Sequence, residues 1–129
     1  MTTVYLDASA IVRIVADEPG RSATVAFLRE HDTRITSVLS QVEVARAVAR
    51  KRPGAVPAAT AFLEDLITVG LDRLIVARAS SLAPPSLRTL DAIHLATAME
   101  LGRELDAFVT YDDRLGEAAR SLGLAVAAP

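Results

Sequence analysis

The chain has 129 residues, a length that favours one domain, 1–129, around one core. Hydrophobic residues make up 51% and cysteine is absent, which excludes a disordered chain, a disulfide scaffold, a thiolate metal site and a thiol nucleophile. A net charge of −2 argues against a uniformly basic nucleic-acid binder, and no apolar run reaches the roughly 18 residues that a membrane span needs.

The start, Met1-Thr2-Thr3-Val4, lacks the basic and apolar regions of a secretory signal, so a cytoplasmic location is expected. Aromatics are only 4%, so the core must be made of Leu, Val, Ile and Ala. Val4-Tyr5-Leu6 reads as a first strand, and Asp7 as the cap of a helix from Ala8 to about Asp17. Pro19-Gly20 breaks that helix, and a second runs from about Arg21 to Glu30. Arg34 to Val38 reads as a second strand. Ser40 is the expected cap of a helix to about Lys51, with an apolar stripe of Val42, Ala45, Val48 and Ala49. Residues 52–57 read as a loop and Ala58 to Ile67 as a helix. A short third strand is expected at 72–76, and a loop or short helix at 80–86. A central helix spans Leu87 to Leu101, followed by a strand at 107–110, a helix from Asp112 to Leu122 and a last strand at 124–126. This alternation predicts an α/β fold, three layers α/β/α with a central parallel sheet of four to five strands.

Four acids stand where a strand ends or a helix begins: Asp7, Glu43, Asp91 and Asp112. In an open parallel sheet such points share one edge. Each acid also has an ordinary explanation. Asp7, Asp91 and Asp112 are placed to complement helix N-termini, and Glu43 has Arg46 and Arg50 on its helical face. The surroundings favour more than this. Asp91 sits among Leu90, Ala92, Ile93 and Leu95, where an ionised carboxylate needs a partner. Two unit charges about 4 Å apart cost about 4 kcal/mol at an effective dielectric of ~20, and a hard divalent cation with oxygen ligands removes that penalty. His94 reads as a packed core histidine, with partnership to Asp91 as the other option, and His31 as exposed.

These segments resemble the motifs of PIN-domain proteins. Val4-Tyr5-Leu6-Asp7-Ala8-Ser9-Ala10 resembles their opening strand, and Glu43 after Ser40-Gln41-Val42 their second acidic position. Leu90-Asp91-Ala92-Ile93-His94-Leu95-Ala96-Thr97-Ala98 resembles their most distinctive helix, and Thr110-Tyr111-Asp112-Asp113-Arg114-Leu115 their fourth position. The likeness spans Val4 to Val126 and is greatest to the VapC group, the ribonuclease halves of bacterial toxin–antitoxin pairs.

The resemblance implies an endoribonuclease that uses Mg²⁺, or Mn²⁺, to hydrolyse phosphodiester bonds in tRNA or rRNA loops. Asp7 and Asp91 are the expected direct ligands. Glu43 and Asp112 are expected to bind through water, to take a second metal, or to orient the attacking water. Ser9 and Thr110 are expected to hold waters behind the ligands, and Asp113 to cap or assist. Arg46, Arg50, Arg88 and Arg114, with Lys51 and Arg52, are placed near the rim for RNA. A VapB-type antitoxin and a second copy of the chain are the implied partners, giving a homodimer and a heterotetramer or larger assembly. The helices of the first half are expected to offer the apolar contact surface.

Rival readings differ at particular residues. A receiver-type signalling domain needs two adjacent acids after its first strand and a late lysine. Here Ala8-Ser9 follow Asp7, and Lys51 is the single lysine. A haloacid-dehalogenase-like phosphatase needs an Asp where Ser9 stands. A catalytically silent PIN-like binding module is the non-enzyme alternative, against which four intact acids argue.

Overall fold

The computed structural model of the chain describes Thr2–Pro129. Five strands form one sheet: β1 (Thr3–Leu6), β2 (Thr33–Ser37), β3 (Ile67–Val69), β4 (Ala107–Val109) and β5 (Val126–Ala127). Their order is β3-β2-β1-β4-β5, and every pairing is parallel. Residues of β1 lie opposite Thr33, Arg34 and Ile35 on one side and Ala107, Phe108 and Val109 on the other. From β1 the chain builds outward through β2 and β3, then returns to lay β4 and β5 on the opposite side. The gap between β1 and β4, at their carboxyl ends, is therefore the switch point where an open α/β sheet forms a crevice.

Helices cover both faces, so the sheet is buried as parallel sheets require. Val4 and Leu6 of β1 and Ala107 and Val109 of β4 face one apolar layer. That layer is built from α1 (Ala8–Val15), α2 (Arg21–Arg29), α3 (Leu39–Lys51) and α4 (Val56–Glu64). Tyr5 and Phe108 point the opposite way, into a layer with Leu95 and Ala98 of α6 (Thr89–Glu100) and Leu115 and Ala119 of α7 (Asp113–Ser121). The strand period of two alone sorts these residues between the layers. The three-layer α/β/α architecture and the parallel sheet are as expected, with the upper of the two strand counts.

The middle of the chain differs from expectation. Residues 72–76 are not a strand; they open α5 (Arg73–Ser81), because Asp72 accepts from Ile75 N at 2.8 Å and caps it. The third strand lies earlier, at Ile67–Val69, and begins on the residue where the preceding helix was expected to end. Helix α4 ends at Glu64 and begins at Val56, with Pro57 in its first turn, a position that needs no N–H. Residues 53–55 form a one-turn 3₁₀ helix rather than an open loop. Leu124 remains in the exit of α7, its N–H bonded to Ala119 O beyond Gly123 (φ 85°), so the last strand starts at Val126.

Ser40 does not cap α3. It lies buried inside the helix and bonds Thr36 Oγ1 at 2.7 Å, while Thr36 donates to Leu6 O at 2.7 Å. That contact turns Ser40 inward, so residues four and eight further on, Val44 and Val48, form the buried line. Of the expected stripe only Val48 is buried; Val42 is 60% exposed, and Ala45 and Ala49 are exposed. Among the exposed large apolar residues Val42 lies on the first-half helix α3, while Ile67, Leu71, Leu74, Val76 and Leu90 belong to the middle of the chain.

Candidate active site

The four acids arrive from four different elements. Asp7 directly follows β1, Glu43 is in the first half of α3, Asp91 is in the first turn of α6, and Asp112 caps α7. All four line one cavity of about 350 Å³ at the carboxyl edge of the sheet, with Ser9, Arg88, Thr89 and His94. A second, open cavity of about 500 Å³ shares Arg88, Asp91 and Asp112 with the first and continues past Arg114, Glu117 and Ser121. Together they make a groove that begins at the acids and runs along α7.

Asp7 is 3% exposed and saturated with donors. Ala10 N gives it a 2.9 Å hydrogen bond, Ser9 Oγ lies 2.7 and 2.9 Å from its two oxygens, and Thr110 Oγ1 donates at 2.5 Å. The two hydroxyls have no freedom to turn away. Ser9 Oγ accepts from Tyr111 N at 3.0 Å and Thr110 Oγ1 from Asp112 N at 3.1 Å, so their hydrogens go to Asp7. Ser9 and Thr110 thus bond the acid directly, where the sequence suggested contact through water. Burial holds the Asp7 carboxyl above the usual carboxylate range, and these hydrogen bonds partly offset the rise.

Asp91 is treated differently. Among the described residues no hydrogen-bond donor is found for its carboxylate. Burial again raises its pKa, and the Asp112 charge adds to the rise, while His94 and Arg88 oppose it and Asp7 supports it. Asp112 has a second duty, since its Oδ1 accepts from Leu115 N at 3.0 Å and caps α7. Asp113 is exposed and lies outside the cavity lining; Asp112, not Asp113, holds the cap.

Glu43 does not pair with Arg46. Its Oε1 meets His94 Nε2 at 2.6 Å, and His94 Nδ1 meets Tyr5 OH at 2.7 Å. His94 is therefore neither a plain core residue nor the partner of Asp91. It is buried, yet it reaches the cavity wall through its second nitrogen. The sequence held one signal for this: His94 follows Asp91 by three residues, hence on the same face of α6. That its partner sits 51 residues earlier is a property of the fold.

The basic residues divide. Arg88 and Arg114 line the groove. Arg46 is exposed one turn beyond Glu43 on α3, and Arg50 is seven residues beyond Glu43, about 10 Å along the axis. Lys51 pairs with Glu18 at 3.5 Å, and Arg52 with Asp17 at 3.6 Å, at the far ends of α3 and α1. Those two do not reach the acid cavity.

The donor set suits a divalent cation in chemistry: four carboxylates line one cavity, burial raises the pKa of two of them, and for Asp91 the charges of Asp112 and Asp7 add to the rise. Among the described residues, however, no three Asp, Glu or His side chains close on one point to surround an ion.

A family model described as PIN domain matches residues 4–121. The chain belongs to the PIN-domain family. Among curated relatives, Ribonuclease VapC46 of Mycobacterium tuberculosis (strain ATCC 25618 / H37Rv) is 44% identical over 129 residues, covering 100% of this chain and 99% of the relative. Ribonuclease VapC35 of the same strain is 42% identical, covering 98% and 96%. Two solved structures share the PIN fold. Mycobacterium tuberculosis VapC20, described as a sarcin-ricin loop cleaving toxin, matches with a TM-score of 0.78 at 14% identity, over 98% of this chain and 99% of that one. A toxin–antitoxin complex from Klebsiella pneumoniae matches with a TM-score of 0.74 at 19% identity, over 98% and 97%. The four acids singled out in the sequence all line the cavity, and the family match removes the receiver and phosphatase readings.

Proposed function

We propose that this protein is a divalent-metal-dependent endoribonuclease, the toxin half of a VapBC-type pair, with residues 1–129 forming one PIN domain. The observation that carries the reading is the convergence of Asp7, Glu43, Asp91 and Asp112, from four separate elements, on one cavity at the sheet's switch point. The full-length relatives named as VapC ribonucleases supply the reaction class.

Asp7 and Asp91 are the proposed direct ligands of Mg²⁺ or Mn²⁺. Glu43 and Asp112 complete the negative wall, binding through water or orienting the attacking water. A bound Mg²⁺ supplies an acidified water and neutralises charge on the scissile phosphate. The chain's own residues prepare the place for this chemistry. Ser9 and Thr110 fix the Asp7 carboxylate, so no reorganisation is needed there during reaction. Arg88 stands at the junction of the two cavities, where it can bond the phosphate next to the one being cut, and Arg114 lies further along the strand's path. Covalent catalysis has no candidate: Ser9 donates to Asp7, and His94 has both nitrogens engaged.

A single-stranded RNA loop is the proposed target, since a flexible strand can bend one phosphate into a recessed acidic cavity. The loop-cleaving description of the fold neighbour VapC20 supports the same class of substrate. The proposed partners are an antitoxin, whose basic side chain enters the acid cavity, and a second copy of the chain. No helix among the described residues is long and apolar enough to cross a membrane; a cytoplasmic site of action follows from the proposed substrate. The deciding experiment maps RNA ends produced by the purified chain with Mg²⁺, with Asp91→Asn as control. Equal cleavage by wild type and variant rejects the reading.

A further inference from the structure

We propose that His94 is a positioning residue for the reaction: held by Tyr5, it fixes the carboxylate of Glu43 so that one oxygen is restrained by the imidazole and the other is presented to the acid cavity. The inference rests on the metal-dependent reading above and assigns a task to a side chain that this reading leaves unused.

Three observations carry it. First, the chain Tyr5 OH to His94 Nδ1 to Glu43 Oε1 is continuous, with contacts of 2.7 and 2.6 Å. Second, its donor directions follow from chemistry. A carboxylate oxygen only accepts, so Nε2 carries a hydrogen and donates to Glu43. Tyr5 OH closes the chain at Nδ1, so neither ring nitrogen is left without a partner. With a partner on each nitrogen, the ring is held in one orientation. Third, the anchor does not move. Tyr5 is fully buried, stacks on Phe108 at a 5.3 Å centroid distance and meets the His94 ring edge-on at 5.9 Å.

Glu43 needs such a brace more than Asp7 or Asp112. Asp7 and Asp112 are held by backbone N–H groups of the helices they cap. Glu43 sits within α3, has one more rotatable bond than Asp, and its side chain is 24% exposed. An unbraced glutamate there would sweep solvent; His94 holds it against the cavity wall before any ion arrives. Partners that orient a ligating group in this way are worth about 10–100-fold in metal affinity or activity.

The test measures Mn²⁺ binding to the antitoxin-free chain by the electron-spin-resonance signal of free Mn²⁺, far below the melting temperature. Wild type, His94→Gln, His94→Leu and Tyr5→Phe are compared. Gln keeps an N–H near the position of Nε2, so His94→Gln should stay within about threefold of wild type, while His94→Leu should bind about tenfold more weakly or worse. The same order should appear in kcat with KM for RNA little changed. A purely structural His94 would lower the melting temperature of His94→Leu and leave Mn²⁺ affinity intact, and that result overturns the assignment. Should His94→Leu not fold, Tyr5→Phe decides: a few-fold weaker affinity supports the brace, and unchanged affinity rejects it. Failure of wild type itself to bind Mn²⁺ is a distinct result, which removes the metal site and the brace together.

Discussion

The two sides of the acid cavity are built on opposite principles. On the β1–β4 side, Asp7 is buried, receives hydrogen bonds from Ser9, Ala10 and Thr110, and ties the two central strand ends together. On the α6 side, Asp91 is half-buried, without a donor among the described residues, and pressed by the Asp112 charge. The first carboxylate is part of the architecture. The second complements the first turn of α6 but is tied to nothing among the described residues, which leaves its oxygens available to a ligand.

The largest effect that tests this contrast is on activity. Asp7→Asn and Asp91→Asn should each lower RNA cleavage by about 10²–10³-fold or more, the scale of losing one fixed electrostatic group at a reacting centre. Their stabilities should differ in sign. Asparagine at position 7 brings an NH₂ group against the hydroxyls of Ser9 and Thr110, and should cost about 1–3 kcal/mol. Asparagine at position 91 removes a repelled charge and should leave the melting temperature unchanged or raise it by a few degrees. Equal destabilisation of both in a thermal melt removes the distinction between the two sides.

Metal binding should then act mainly through the loose side. Mg²⁺ or Mn²⁺ binds the native state, so a concentration about 100 times the dissociation constant adds about 2.7 kcal/mol, or several degrees in melting temperature. Asp91→Asn should lose most of that gain. No shift in wild type at millimolar metal rejects the site.

Acidity is the next lever. Both Asp7 and Asp91 have folded-state pKa values raised above their unfolded ones. The folded state therefore holds these protons more tightly. Their protonation favours folding at low pH, and that contribution is lost as pH rises through the raised values. Metal must displace the same protons. The metal-induced gain in melting temperature should grow with pH across that window, opposite to the trend of the metal-free protein. In Asp91→Asn the metal-free trend should be shallower, because one of the two raised groups is gone. Parallel trends for the two proteins contradict the assignment.

What the sequence could tell depended on how local the cause was. Asp7 and Asp112 were legible because each follows a short apolar run, and Asp91 because it opens an apolar helix; the parallel sheet brings such places to one edge. The segment from Leu66 to Val76 was misread because Leu66-Ile67 extends the apolar pattern of α4, while Ile75-Val76 are β-branched and follow another apolar residue, Leu74. Only the Asp72 cap, a three-residue signal, made the latter a helix. The stripe of α3 was rotated because Thr36 and Ser40 fix its inward face through a contact that composition does not display. The Glu43–His94 bond joins residues on two different helices that pack at opposite ends of a long excursion through β3 and α5. No spacing rule reports such a pair.

The smallest effect separates the basic residues, and it returns to the loose side of the cavity. Arg88 lines both cavities and acts on Asp91, opposing the rise of its pKa. Arg50 is about 10 Å along α3 from Glu43 and lines neither cavity. If Arg88 contacts RNA phosphate, Arg88→Ala should reduce the slope of log affinity against log salt by about 0.7, the single-strand value for one contact. It should also move the metal requirement to higher pH, because Asp91 then gives up its proton less readily. Arg50→Ala should change neither. Arg46, one turn from Glu43, should fall between them in salt dependence and leave the pH requirement alone. The two readouts are independent, since one follows contact with the RNA backbone and the other follows proximity to Asp91. A variant that moves the salt slope without moving the pH requirement contacts RNA away from the acids, and finding this for Arg88 places it outside the junction that the two cavities share.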